Sequence, residues 1–214
     1  MSGELFLMDK TVIYLVRHGE SLGNAKRTYL GHTDLDLSEN GYAQARATAN
    51  HLKDIKIDAV YSSDLKRAHN TALPHAELRG LEVIDSYNLR ELNIGDWEGQ
   101  PVDSLIRDHY DDFVIGWQQN FGTFTLPGGE RVLDGCERMY NEVLRIAREN
   151  IGKTVLIASH AAVIRALWGK ISGIAPENMA SETKFPTNAS YSIVEYDGER
   201  IIPLKYSCDD HFSS

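Results

Sequence analysis

The sequence predicts an α/β fold, a three-layer αβα sandwich with a mostly parallel central sheet and an insertion over the active-site edge. Three observations carry that prediction. First, Thr11 to Val16 and Thr154 to Ser159 are β-branched, aromatic, aliphatic or small, with no charge on either face. Such strands belong in the middle of a sheet covered on both sides. Second, helical stretches with one apolar face separate the strands. Third, three of the strands end in residues that can do chemistry: Arg17-His18-Gly19, the stretch from Ser63 to Arg67, and Ser159-His160. The C-terminal ends of strands are where open α/β sheets bind ligands.

The elements follow in order. Residues 1–10 hold a short apolar patch, Leu5 to Met8, broken by Asp9 and Lys10. It is too short and wrongly flanked for a signal peptide and reads as an N-terminal extension. After the first strand, residues 19–37 lack clean periodicity and read as a loop carrying Asn24, Arg27 and Gly31. Ser38 is a plausible N-cap for a helix reaching about Lys53, with Tyr42, Ala45, Ala49 and Leu52 on one face. Ile57 to Tyr61 reads as the second strand, and Ser63 or Asp64 as the cap of a helix that Pro74 ends or bends. Residues 82–85 suit a short strand. From Ser86 to Leu133 the pattern is irregular, with Tyr110, Phe113, Val114, Trp117 and Phe121 at helical spacing. Such a stripe is core, or it packs as a lid whose rings line a pocket.

A helix returns from Asp134 to Asn150, with Cys136, Met139, Tyr140, Val143 and Ala147 inward. The helix after His160 carries Val163, Ile164, Leu167, Trp168 and Ile171. Ala189 to Tyr196, the Asp197-Gly198 turn and Arg200 to Tyr206 read as a β-hairpin, and Pro203 confines its last strand to an edge. The expected organisation is a single domain over 11–206, with 86–133 as insertion and 207–214 as a C-terminal tail.

The chain has 214 residues, 42% hydrophobic and 25% charged, ordinary for a globular protein. Its net charge of -9 argues against nucleic acid or an anionic membrane as the main partner, since either favours a basic face. It leaves room for a small anionic ligand held by a few convergent arginines. Cys136 and Cys208 are the only cysteines, which form neither a disulfide framework nor a zinc pattern. A reduced, cytoplasmic setting follows most simply, and no apolar run approaches a membrane span. The edge hairpin offers a surface on which a homodimer could pair.

Placed side by side, the strand ends bring together Arg17, His18, Arg67 and His160. Two guanidinium forks suit a tetrahedral oxyanion such as a phosphoryl group. Histidines at one edge can also ligate a metal, but no His-x-His or His-Glu-x-x-His spacing is present and Arg17 repels a divalent ion. The site is therefore expected to use no metal and no cofactor. Neutral His18 can attack phosphorus directly, provided a fixed acceptor on its other ring nitrogen sets the tautomer. His160 would donate to the phosphoryl oxygens. The leaving alkoxide needs a proton. Glu91 is the candidate, because a bound phosphate beside it favours its protonated form; the alternative for Glu91 is a surface ion pair with Arg90.

These residues resemble a known signature. Leu15-Val-Arg17-His18-Gly19-Glu20-Ser21, with Asn24 six residues after the histidine, is similar to the histidine phosphatase superfamily, in its phosphoglycerate-mutase-like branch. Gly31 to Ser38 with Gly41, Tyr61 to Ala68 with Thr71-Ala72, and Glu91 with Gly95, Glu98 and Gly99 match its further blocks. Pro127 to Glu130 and Ser159-His160 complete the set in family order, over residues 11 to 206. The resemblance implies catalysis by His18, Glu91 and His160, with Arg17, Arg67, Asn24, Gly31 and the Ala161 N–H holding the phosphoryl group. One departure concerns Ala161-Ala162, where the family often has glycines; a left-handed backbone there would be strained.

The resemblance also separates two activities. Mutases of the family carry extra basic residues after the acid motif. Here the stretch from Glu91 to Gly129 holds Arg107 alone against aspartates 96, 103, 108, 111 and 112. The expected function is hydrolysis of a small phosphorylated metabolite through a phosphohistidine. Phosphoglycerate mutase action is the alternative, and a non-catalytic phospho-ligand binder is a third reading. The acidic residues of the insertion are expected to disfavour a second anionic group on the substrate.

Overall fold

The structure is a computed structural model, and it describes residues 10–212. Six strands form one sheet: β1 (Thr11–Arg17), β2 (Ala59–Ser63), β3 (Val83–Ser86), β4 (Thr154–Ser159), β5 (Tyr191–Tyr196) and β6 (Ile201–Cys208). Their order is β3-β2-β4-β1-β5-β6. The first four strands run parallel, and β5 and β6 add antiparallel. The uncharged β1 and β4 lie side by side at the centre, as their composition requires. In register, Arg17 faces Ser159 and Ser62 faces Ala158. The three chemically equipped strand ends are therefore neighbours on one edge.

Strand alternation divides the core between the two faces. Ile13, Leu15, Val155 and Ile157 pack with Met139 and Val143 of α5 (Val132–Glu149) and Leu167 of α6 (Ala161–Ile171). Val16, Leu156 and Ala158 point the other way, onto Ala72 and Ala76 of α3 (Lys66–Glu77). The helix α2 (Glu39–His51) packs against α3. Each large apolar side chain so buried contributes about 1.5–3 kcal/mol. Among the described residues no helix is long and apolar enough to cross a membrane.

Several local expectations shift. The loop after β1 contains a short helix, α1 (Leu22–Ala25), closed by a reciprocal cap between Ser21 and Asn24. The second strand lies two residues later than its apolar run suggests. Ser63 thus ends β2, Asp64 is engaged by Arg90 at 2.7 and 2.6 Å, and Leu65 caps α3 without a side-chain bond. Pro74 neither ends nor visibly stops α3, which runs on to Glu77. So near the C-terminus the proline removes only one helical N–H, and buried His75 and Ala76 hold the last turn in place.

Residues 86–133 form single helical turns, the helix α4 (Val102–Asp108) and a π-helical segment, Asp111–Gln119. Phe113, Trp117 and Phe121 join the large core cluster, and Phe113 and Trp117 also line a cavity above the sheet edge. The aromatic stripe is thus core and pocket wall together. The chain end also differs from the expected tail. Strand β6 continues to Cys208, and the turn Asp210–Phe212 folds back onto α2, where His211 lies 2.9 Å from Thr48 and stacks on His51. The extension read over 1–10 lies outside the described residues apart from Lys10.

Candidate active site

His18 is the first residue beyond β1. Its N–H donates to the Ser159 carbonyl at 2.9 Å, continuing the β1–β4 pairing by one rung. The Gly19 N–H donates to Thr71 Oγ1 at 2.9 Å. A Cβ on Gly19 would stand 2.5 Å from the Gly41 carbonyl oxygen, so the tight approach of α2 to this turn requires glycine. The His18 ring is held at Nδ1, which donates to the Gly19 carbonyl at 2.7 Å. That bond places the proton on Nδ1 and leaves the Nε2 lone pair toward the cavity.

Three groups stand around that ring. His160, fully buried at the end of β4, meets it edge-on at 5.2 Å between centroids. Arg67, from the first turn of α3, donates to the Thr33 and Gly31 carbonyls at 2.9 and 2.7 Å. Arg17 donates to the Pro186 carbonyl at 2.5 Å. Arg17 Nε and both ring nitrogens of His160 are buried without a protein partner. Unpaired buried polar atoms are costly and uncommon; His160 packs on the His18 ring, and Arg17 lines the same cavity as His18.

Glu91 faces the same cavity and is only 8% exposed. It makes no ion pair with Arg90, which is taken by Asp64. Instead Glu91 caps α6: Oε2 accepts the Ala162 N–H at 3.0 Å, and Oε1 accepts the Val163 and Leu92 N–H groups at 3.1 and 3.0 Å. The positive end of the helix thereby positions the carboxylate. Ala161 and Ala162 are ordinary helical residues behind an extended His160 (φ -126°). Among the described non-glycine residues only Arg27, Ala189 and Ser207 have positive φ. The departure from glycine therefore brings no strain.

Asn24 and Ala161 line the cavity with Arg17, His18, Arg67 and Glu91. Gly31 does not. It stands behind Arg67, where its carbonyl holds the guanidinium and its N–H donates to Glu98 at 2.9 Å. Glu98 also accepts the His32 and Thr33 N–H groups, both at 3.0 Å, and so fixes the loop that aims Arg67. Three further contributors escaped sequence reasoning. Asn188 bonds the His18 carbonyl and Asn24 Oδ1, both at 3.2 Å. The Pro186 carbonyl anchors Arg17. Arg138 donates to the Glu91 carbonyl at 3.1 Å. None sits in a local motif, and only the α5 periodicity hinted that Arg138 lies beside an inward face.

Burial, reinforced by Arg67 and then Arg17, holds His18 well below the usual histidine range against the opposing Gly19 bond. Burial and then Arg67 and His18 do the same to His160. Both rings are therefore neutral at pH 7, and each carries a single N–H. Arg17 is pushed down to about 10, chiefly by burial, and stays charged. The pH dependence of stability follows. Buried His75, between α3 and its neighbours, is pushed down to about 3, whereas an unfolded histidine titrates near 6.5. Between those values the unfolded chain binds the extra proton, so stability falls as pH drops below about 6.5. At pH 5, His75 accounts for about 2 kcal/mol of that loss, and His18 and His160 add with the same sign. Thermal melts from pH 7 to 5 should show a steadily falling Tm; a flat profile would mean that the rings accept protons in the folded state.

The cavity has a volume of about 730 Å³. Among the described residues no three His, Cys, Asp or Glu side chains are grouped as metal ligands. The fold and this edge define a phosphoryl-handling α/β protein, and comparison with known proteins makes the class specific. The model of the histidine phosphatase superfamily (branch 1) matches residues 13–209. The chain belongs to the histidine phosphatase superfamily. It is 32% identical to phosphoserine phosphatase 1 of Hydrogenobacter thermophilus over 93% of each chain. It is 35% identical to a 2,3-bisphosphoglycerate-dependent phosphoglycerate mutase of Bartonella tribocorum, over 82% of this chain and 87% of that one. Mycobacterial glucosyl-3-phosphoglycerate phosphatase in complex with VO3 superposes with a TM-score of 0.85 at 26% identity, covering 92% of this chain and 99% of that one.

Proposed function

We propose that the protein hydrolyses the phosphomonoester of a small metabolite through a phosphohistidine on His18, without a metal. The observation that carries this reading is the His18 ring itself: Nδ1 is tied to the Gly19 carbonyl, Nε2 is open to the cavity, and Arg17, Arg67 and His160 surround it. The ester dianion sits between the two guanidiniums. Nε2 attacks phosphorus as the P–O bond to the alcohol breaks, and Glu91 delivers its proton to the leaving oxygen. The same carboxylate then takes a proton from water. That water attacks phosphorus, the P–N bond breaks and inorganic phosphate leaves. His160 and the guanidiniums carry the charge that develops on the phosphoryl oxygens.

Relatives named as phosphoserine and glucosyl-3-phosphoglycerate phosphatases support hydrolysis. The relative named as a mutase keeps phosphoryl transfer between 2- and 3-phosphoglycerate as the second reading. The single basic residue between Glu91 and Gly129 favours water as the acceptor. The deciding experiment assays phosphate release from a generic aryl phosphate in excess chelator, beside 2- to 3-phosphoglycerate interconversion primed with bisphosphate. Phosphate release with negligible interconversion supports the reading; interconversion that outruns release replaces it with the mutase.

A further inference from the structure

Five cationic side chains line the cavity, against the single carboxylate of Glu91. Arg17 and Arg67 belong to the phosphoryl site, and Arg27 is paired with Asp103 at 2.7 Å. Arg165 and Lys184 are left over. We propose that these two form a subsite for a carboxylate carried by the leaving alcohol, so that the substrates are carboxylate-bearing phosphomonoesters. The proposal rests on the phosphomonoesterase reading for its substrate and on independent geometry for its site.

Arg165 lies one helical turn beyond the α6 N-terminus that holds Glu91, and it is 3% exposed. Its guanidinium lies against the Phe121 and Phe185 rings, 4.2 and 4.4 Å from their centroids, and the two rings stand edge to face 5.5 Å apart. Nε donates to Thr183 Oγ1 at 2.8 Å, and Nη2 to the carbonyls of Met179, Ala180 and Thr183 at 3.2, 3.0 and 3.1 Å. All four acceptors are neutral. Among the described residues no carboxylate pairs with Arg165, and Nη1 has no acceptor. A buried guanidinium without a counter-ion is costly. The two rings recover part of that through cation–π attraction, and Nη1, which has no protein acceptor, is the edge left to an anion.

Lys184 follows Thr183 directly. Its side chain is exposed and lines the same cavity, and its carbonyl is held by the Tyr206 hydroxyl. One Nη1 edge and one exposed ammonium supply two donors, matching the two oxygens of a carboxylate. Tyr29 lines the cavity together with Glu91, Arg17 and Arg165. Arg17 and Arg67 match a phosphoryl dianion, and Arg165 with Lys184 remains to be matched by the leaving group. The aspartates of the insertion do not enter the lining; Asp103 and Asp108 are paired with arginines. The expectation that they oppose a second anionic group took them to face the pocket, and the structure places them outside its lining.

Calorimetric binding to the His18→Ala protein, which holds esters without turning them over, tests the subsite. The probes are 3-phosphoglycerate and glycerol 3-phosphate, which differ by a carboxylate in place of a hydroxymethyl group. The carboxylate ester should bind about tenfold tighter or more. Adding Lys184→Gln should cut that preference about threefold or more, and adding Arg165→Gln should abolish it. Arg165→Gln also removes bonds to Thr183, so Lys184→Gln, at an exposed position, keeps the test independent of folding. Equal affinity for the two esters, or a preference that survives both substitutions, overturns the proposal. Failure of the hydrolytic reading would show separately, as wild-type protein that binds the carboxylate ester and releases no phosphate from it.

Discussion

Replacing His18 with alanine should lower kcat/KM for any phosphomonoester by on the order of 10⁴- to 10⁶-fold, the range seen when a catalytic nucleophile is removed. The physical reason is that no other unpaired nucleophile is aimed at the same point. His160 is edge-on behind the ring, Glu91 is committed to three N–H groups of the backbone, and neither guanidinium can attack phosphorus. Oxyanion binding by Arg17 and Arg67 survives the change, so affinity for inorganic phosphate should persist. Fold should persist too, because the main-chain bonds of His18 and Gly19 do not depend on the ring. Rapid acid-free quenching of labelled substrate should trap phosphate on the wild-type protein and not on the variant. Turnover retained within tenfold of wild type would remove His18 as nucleophile.

Glu91→Gln should produce the second largest loss, about 10²- to 10⁴-fold in kcat for an alkyl phosphate. An aryl phosphate leaves with little protonation, so its first step should be nearly spared, while attack of water on the phosphohistidine loses its base. The expected signature is a burst of aryl alcohol equal to the enzyme concentration, followed by a slow steady rate and an accumulated phosphoenzyme. The amide also presents a donor where the carboxylate receives the Ala162 and Val163 N–H groups, at a cost of about 1–3 kcal/mol in stability. Urea unfolding measures that cost apart from the kinetics. Unchanged kcat on an alkyl ester would assign the proton to another group.

Much of the site was legible before any tertiary information. Residues that must be buried on both sides of a sheet are consecutive in the chain, so β1 and β4 declare themselves by lacking charge. The residues that follow them, His18 and His160, inherit a place at the sheet edge. Arg67 is placed by the same logic one turn into a helix. Glu91 was less secure, since a carboxylate beside an arginine in sequence reads equally as an ion pair. Its assignment as a helix-capping group needs α6 to arrive from 71 residues away. Gly31 illustrates the reverse case. Its neighbourhood in sequence marks it for the site, but its backbone supports Arg67 from behind.

What the sequence by itself determined is the arrangement of the sheet's apolar centre and the identity of the groups at its C-terminal edge, because both depend on short-range patterns of burial and on strand direction. Tertiary structure alone decided which nitrogen of His18 is free and which partners hold Arg17 and Arg67. It also decided that Arg165 and Lys184 enter the lining of the same cavity. Those outcomes are set by contacts between residues as far apart as Arg17 and Pro186, 169 positions along the chain. Packing at that separation is governed by the shape and charge of several elements at once, and no single stretch of sequence carries it.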